Sequence, residues 1–119
     1  MTFAPLPEPS PALLVACLCA GWCRTCDSYR QTFDDLGREF AAQARFVWLD
    51  VEDDDEALGR IDVVNFPTLL IAHGLDARFF GPVTPHAQTA RQLIQRGLQG
   101  SLGLIDDAAV KTLLGTFMP

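Results

Sequence analysis

Ala12-Leu13-Leu14-Val15-Ala16-Cys17-Leu18-Cys19-Ala20-Gly21-Trp22-Cys23-Arg24-Thr25-Cys26 is the stretch on which the fold turns. Residues 12–20 form a nearly continuous apolar run, bounded by Pro11 and Gly21, with the length and flanks of a strand buried on both faces. From Cys26 onward Tyr29, Phe33, Leu36 and Phe40 recur at alternating steps of three and four, the spacing of one helical face, which predicts a helix over residues 24–43. Two cysteines three apart therefore sit where a buried strand gives way to a helix. The positive end of the helix favours a thiolate on Cys23, and Arg24 adds a second positive charge beside it. Cys23 is the expected nucleophile: it attacks a substrate disulfide, and Cys26, one turn further on, resolves the mixed disulfide by closing a Cys23–Cys26 bond. Zinc sites also use this spacing, but two of four cysteine ligands would have to leave the middle of a buried strand, so no metal is expected and no cofactor is needed.

Working outward, residues 1–11 carry Pro5, Pro7, Pro9 and Pro11 and are expected to form an extended lead-in. Arg45–Val51 reads as a second buried strand, parallel to the first through a right-handed crossover. Asp53–Ile61 follows as a short helix with Ala57, Leu58 and Ile61 inward. Phe66–Ala72 is a third strand opening at a proline, and His73-Gly74 turns it into Asp76–Phe80 as an antiparallel hairpin. Thr84 and Pro85 open a helix ending near Gly97 or Gly100. Asp106–Leu114 makes one more short helix, closed by Gly115. The order predicts an α/β domain over residues 12–100 and a helical appendage over 101–119, which either caps the sheet or mediates self-association.

Composition narrows the function classes. With 119 residues, 49% hydrophobic and 20% charged, the chain is expected to be one soluble domain, and no run reaches the roughly 18–20 apolar residues of a membrane span. The net charge of −6 is concentrated in residues 50–62, and no basic stripe exists to displace counterions from phosphates, so nucleic acid is not an expected partner. The acidic run Asp50, Glu52, Asp53, Asp54, Asp55, Glu56 reads as a solvated helix start, with a metal or partner patch as the alternative. Four cysteines within ten residues cannot staple distant parts of a secreted fold, so a cytoplasmic protein is expected. Leu14-Val15-Ala16-Cys17 looks like a lipoprotein cleavage box, but the segment before it holds no Lys or Arg and carries Glu8 and the prolines.

Ala20-Gly21-Trp22-Cys23-Arg24-Thr25-Cys26 after an apolar strand, Phe66-Pro67-Thr68-Leu69-Leu70, and the strand pair flanking His73-Gly74 together resemble the thioredoxin family, over about residues 12–100. The resemblance implies a thioredoxin fold, with a four- to five-stranded mixed sheet flanked by helices and here a C-terminal extension. It also implies a protein-disulfide oxidoreductase served by a reductase or another dithiol donor. By the same resemblance Pro67 is cis and sits against the cysteine pair. Phe66 and Pro67 belong to the substrate site beside Arg24 and Thr25, and Trp22 lies on its exposed rim. Three departures matter. Arg24-Thr25 replaces the usual Gly-Pro, Cys17 stands where the family has a buried aspartate, and Trp48 stands where it has a lysine. Slower resolution by Cys26 and, through Arg24, a more oxidising pair are expected. Gln31 replaces the proline that kinks the first helix, and residues 1–11 leave little room for the family's opening strand and helix.

Cys17 and Cys19 are expected to alternate so that only one faces the active-site helix. They are small buried hydrophobes, or Cys17 comes near Cys26 as a third redox thiol. His73 and His86 are expected at the surface, and Asp27 as a solvated first-turn carboxylate. Trp48, Tyr29 and the phenylalanines are expected in the core, with Phe79 and Phe80 on opposite faces of their strand. The competing function is a binding module or redox-sensing adaptor that docks a partner near Pro67.

Overall fold

The computed structural model describes residues 13–52 and 66–115. In chain order the elements are β1 (Leu13–Cys19), α1 (Arg24–Glu39), β2 (Ala44–Asp50), β3 (Thr68–His73), β4 (Asp76–Pro82), α2 (Ala87–Gln99) and α3 (Ala108–Gly115). The strands form one mixed sheet of order β2-β1-β3-β4, with β1 parallel to β2 and antiparallel to β3. All seven residues of β1 are buried, because the apolar run occupies the sheet's interior and both its faces are covered. The expected lead-in and the helix over residues 53–61 lie outside the described residues. Among the described residues, no helix is long and apolar enough to cross a membrane.

Two apolar layers flank the sheet. Leu13, Val15, Cys17 and Cys19 of β1 pack with Cys26, Tyr29, Phe33 and Leu36 of α1 and Ala90 and Ile94 of α2. On the other face Leu14, Ala16 and Leu18 pack with Leu70, Ala72 and the α3 residues Val110, Leu113 and Leu114. Of the two roles left open for the appendage, α3 thus caps the sheet, each buried aliphatic side chain contributing about 1.5–3 kcal/mol. Asp107 fixes where α3 begins, its carboxylate accepting from the N–H groups of Ala109 (2.9 Å) and Val110 (3.1 Å). Phe79 and Phe80 fall into opposite layers, as the alternation predicts.

Several boundaries differ from expectation, each for a local reason. The first helix stops at Glu39 instead of residue 43, because the Phe40 carbonyl accepts from the N–H groups of both Gln43 and Ala44 and turns the chain into β2. β2 is half-exposed and not a buried strand, since the order of the sheet leaves it at an edge. α2 starts at Ala87 instead of at Thr84-Pro85. The residue before a proline avoids the helical region, and the Thr84 hydroxyl meets the Thr89 hydroxyl at 2.7 Å. His86 is then the exposed N-cap, in extended conformation. β4 runs two residues past Phe80 to Pro82. The β3–β4 turn uses Gly74 at φ +58°, a left-handed conformation that glycine adopts without penalty. Gly97 lets α2 approach the sheet: a Cβ there would meet Ile71 at 3.2 Å and Leu13 at 3.3 Å. At the same crossing His73 is half-buried, contrary to its expected surface position, with Nε2 2.9 Å from the Gly97 carbonyl.

Candidate active site

The site lies at the carboxyl end of β1. Cys19, the last residue of the strand, is paired with Asp50 of β2. The β1–β3 register ends at Leu18 opposite Thr68, the residue that follows Pro67. Beyond Cys19 the chain reverses tightly, the Cys23 N–H donating to the Ala20 carbonyl at 3.0 Å. Cys23 becomes the N-cap of α1, with extended φ −87° and ψ 118°, and its carbonyl accepts the Asp27 N–H at 3.2 Å. A sulfur therefore stands where a capping oxygen is usual, at the positive end of a 16-residue helix.

Within the first turn the side chains divide. Arg24 and Thr25 are exposed, and so is Asp27, as expected of a first-turn carboxylate, while Cys26 is buried against the sheet and Cys23 is half-buried between. Trp22 is 68% exposed and rests edge-on against Phe66, with ring centroids 5.5 Å apart, so the expected rim residue is indeed at the surface. The Phe66–Pro67 peptide bond is cis.

The sulfur pairing departs from the sequence reading. The disulfide joins Cys26 to Cys19, across a Cα–Cα distance of 5.8 Å, and leaves Cys23 as a free thiol. Cys17 and Cys19 both face α1, so the expectation that only one of them would do so is corrected: residues two apart on a pleated strand share a face. The first turn of α1 sits over the end of β1. It is therefore Cys19, and not Cys17, that meets Cys26. Cys17 lies one step deeper, its sulfur 3.8 Å from that of Cys19. Burial pushes the Cys17 thiol far above the ordinary range, with Arg30 opposing, so Cys17 stays protonated at neutral pH. Tyr29 beside it is raised too, first by burial and then by Cys17, and its buried hydroxyl has no hydrogen-bond partner among the described residues.

On the open side of Cys26, a cavity of about 360 Å³ is lined by Gly21, Asp27, Arg30, Trp48 and Asp50. Trp48 is only half-buried, a correction to its expected core position, because edge strand β2 leaves it covered by the Arg30 guanidinium, 4.7 Å from the ring centroid. The Asp50 carboxylate turns the chain after β2 by accepting the Glu52 N–H at 2.8 Å. Sequence reasoning missed Cys19 as a bonding partner, although strand periodicity alone places it on the helix side. It also missed Asp50 and Arg30, whose nearness to Cys26 depends on the β1–β2 register. Among the described residues no three His, Cys, Asp or Glu side chains are grouped to hold a metal ion.

A family profile described as Thioredoxin matches residues 6–92. The chain belongs to the thioredoxin family. The thioredoxin of Bacillus subtilis (strain 168) is 30% identical over 64 residues, 54% of this chain and 62% of that protein, so the chain spans less than two thirds of the length of this curated relative. Among solved structures, Fasciola hepatica thioredoxin superposes with a TM-score of 0.65 at 21% identity, covering 74% of this chain and 84% of that one. Deadhead, the germline-specific thioredoxin of Drosophila melanogaster, gives 0.64 at 20% identity, covering 71% and 79%. The architecture is the thioredoxin fold, with a four-stranded mixed sheet and three helices among the described residues.

Proposed function

We propose that the chain is a thiol–disulfide oxidoreductase acting on protein disulfides, with Cys23 as the attacking and Cys26 as the resolving thiol. Membership of the thioredoxin family supports this, and one observation carries it: Cys26, in the first turn of the helix that Cys23 caps, is engaged in a disulfide. Cys23, half-buried and unbonded, is the sulfur that a substrate reaches. Its thiolate attacks one substrate sulfur, the substrate S–S bond breaks, and the other substrate sulfur leaves as a thiolate. Cys26 then attacks Cys23, releasing the second substrate sulfur. The substrate ends reduced by two electrons, which a reductase or dithiol donor restores to the protein, in a reducing compartment such as the cytoplasm. Trp22 and Phe66 supply an apolar rim, Pro67 lies beside the exchange, and Arg24 and Thr25 flank the incoming chain. No buried aspartate stands at position 17, so the Cys26 proton leaves without that acid and resolution is slow.

The missing aspartate and lysine favour a second reading, a docking module without turnover. Reduction of insulin by dithiothreitol, followed as turbidity, separates the two. Wild type accelerates the reaction and Cys23→Ser does not; a wild-type rate equal to that of dithiothreitol alone leaves the docking module.

A further inference from the structure

We propose that Cys19 is a third redox thiol that takes Cys26 from Cys23, so that the oxidised chain rests as a Cys19–Cys26 disulfide and presents Cys23 as a free nucleophile able to rearrange disulfides in protein substrates. This rests on the proposed exchange at Cys23. The step is an isomerisation. The Cys19 thiolate attacks the Cys26 sulfur of a Cys23–Cys26 bond, the new bond forms, the old one breaks, and the electron pair leaves on the Cys23 sulfur. The proton given up by Cys19 matches the one that Cys23 can accept, and no electrons are gained or lost.

Three observations support it. The Cys19–Cys26 bond spans 5.8 Å between Cα atoms, within the ordinary range for a disulfide. Both of its residues are 1% exposed whereas Cys23 is half-buried, so of these three sulfurs Cys23 is the one most open to outside thiols. Cys17 lies 3.8 Å from the Cys19 sulfur, where its S–H can donate to a Cys19 thiolate. Burial, which holds Cys17 protonated, suits it to that part.

The consequence is a second activity of the same site. With Cys26 held by Cys19, a mixed disulfide formed at Cys23 has no resolving thiol inside the protein. A free cysteine of the substrate displaces Cys23 instead, forming a new substrate disulfide and returning the Cys23 thiolate, with no net electron transfer. The substrates are proteins that carry both a disulfide and a free thiol.

The test uses the full chain, oxidised with one equivalent of diamide and then treated, without unfolding, with 5,5′-dithiobis(2-nitrobenzoate). Wild type is expected to show one reactive thiol per chain, mapped to Cys23 by tandem mass spectrometry that fragments the backbone between Cys19 and Cys23 in the peptide ending at Arg24, with Cys26 bonded to Cys19. Cys19→Ser, or Cys19→Ala where serine is not tolerated, is expected to show none, and to lose most of the ability of the oxidised protein to reactivate a disulfide-scrambled substrate. Wild type with no reactive thiol and a Cys23–Cys26 bond overturns the proposal. Mapping reads the pairing without turnover, so it decides this proposal even where insulin reduction fails.

Discussion

The two faces of β1 are closed to water to the same degree, yet they carry different chemistry. Leu14, Ala16 and Leu18 meet the aliphatic side chains of α3, and the described residues of that buried cluster carry no ionisable side chain. On the opposite face the strand ends in Cys17 and Cys19 beneath the positive end of α1, where Cys26 joins them in one apolar cluster and Cys23 packs against it. Burial alone does not make a site. The difference lies in which end of which helix covers the strand: α1 brings its N-terminus and a turn of backbone over the carboxyl end of β1, whereas α3 brings only a side-chain stripe.

That contrast is sharpest between Cys23→Ser and Leu113→Ala. The first is expected to lower protein-disulfide reduction by several orders of magnitude, since no other group supplies the thiolate, while leaving the urea midpoint nearly unchanged. The second is expected to cost about 2–5 kcal/mol of stability and to leave the activity of the folded fraction intact. A loss of activity in folded Leu113→Ala would break the division between the faces.

Alkali should weaken the sulfur face. Cys17 and Tyr29 both have folded pKa values raised above their unfolded ones. Their contribution is therefore complete below the unfolded values, roughly pH 8.5 for a thiol, and declines above that as the unfolded chain releases protons first. For Cys17 the loss at pH 10 is about 2 kcal/mol. Urea titrations of the oxidised protein between pH 7 and 10 should show a shallower decline in Cys17→Ala than in wild type; equal slopes would remove the buried thiol from the explanation.

The smallest effect belongs to the aliphatic side. Asp107→Ala, which removes the cap of α3, is expected to cost about 1 kcal/mol in thermal or urea unfolding and to leave thiol reactivity unchanged.

Much of this arrangement was legible before any coordinates. The apolar run of residues 12–20 and the three-four spacing from Cys26 to Phe40 identify β1 and the buried face of α1, because both depend only on local periodicity. The cysteine pair at the strand–helix junction follows from the same pattern, whereas the exposed position of Trp22 comes only from the family resemblance. What stayed hidden depends on non-local geometry. Cys26 meets Cys19 because of where the first turn of α1 lands on the sheet, and Trp48 is half-open because β2 is an edge. Proline placement also misled, Thr84-Pro85 preceding α2 instead of opening it. The shared face of Cys17 and Cys19 was available from strand period alone.

Cys26→Ser, incubated with an oxidised protein substrate and examined intact by mass spectrometry, bears most directly on thiol exchange at Cys23. A one-to-one covalent adduct through Cys23, released by dithiothreitol, is the expected result. A chain that remains unmodified, with Cys23 still open to alkylation, would contradict the assignment of this helix end as the place where disulfides are exchanged.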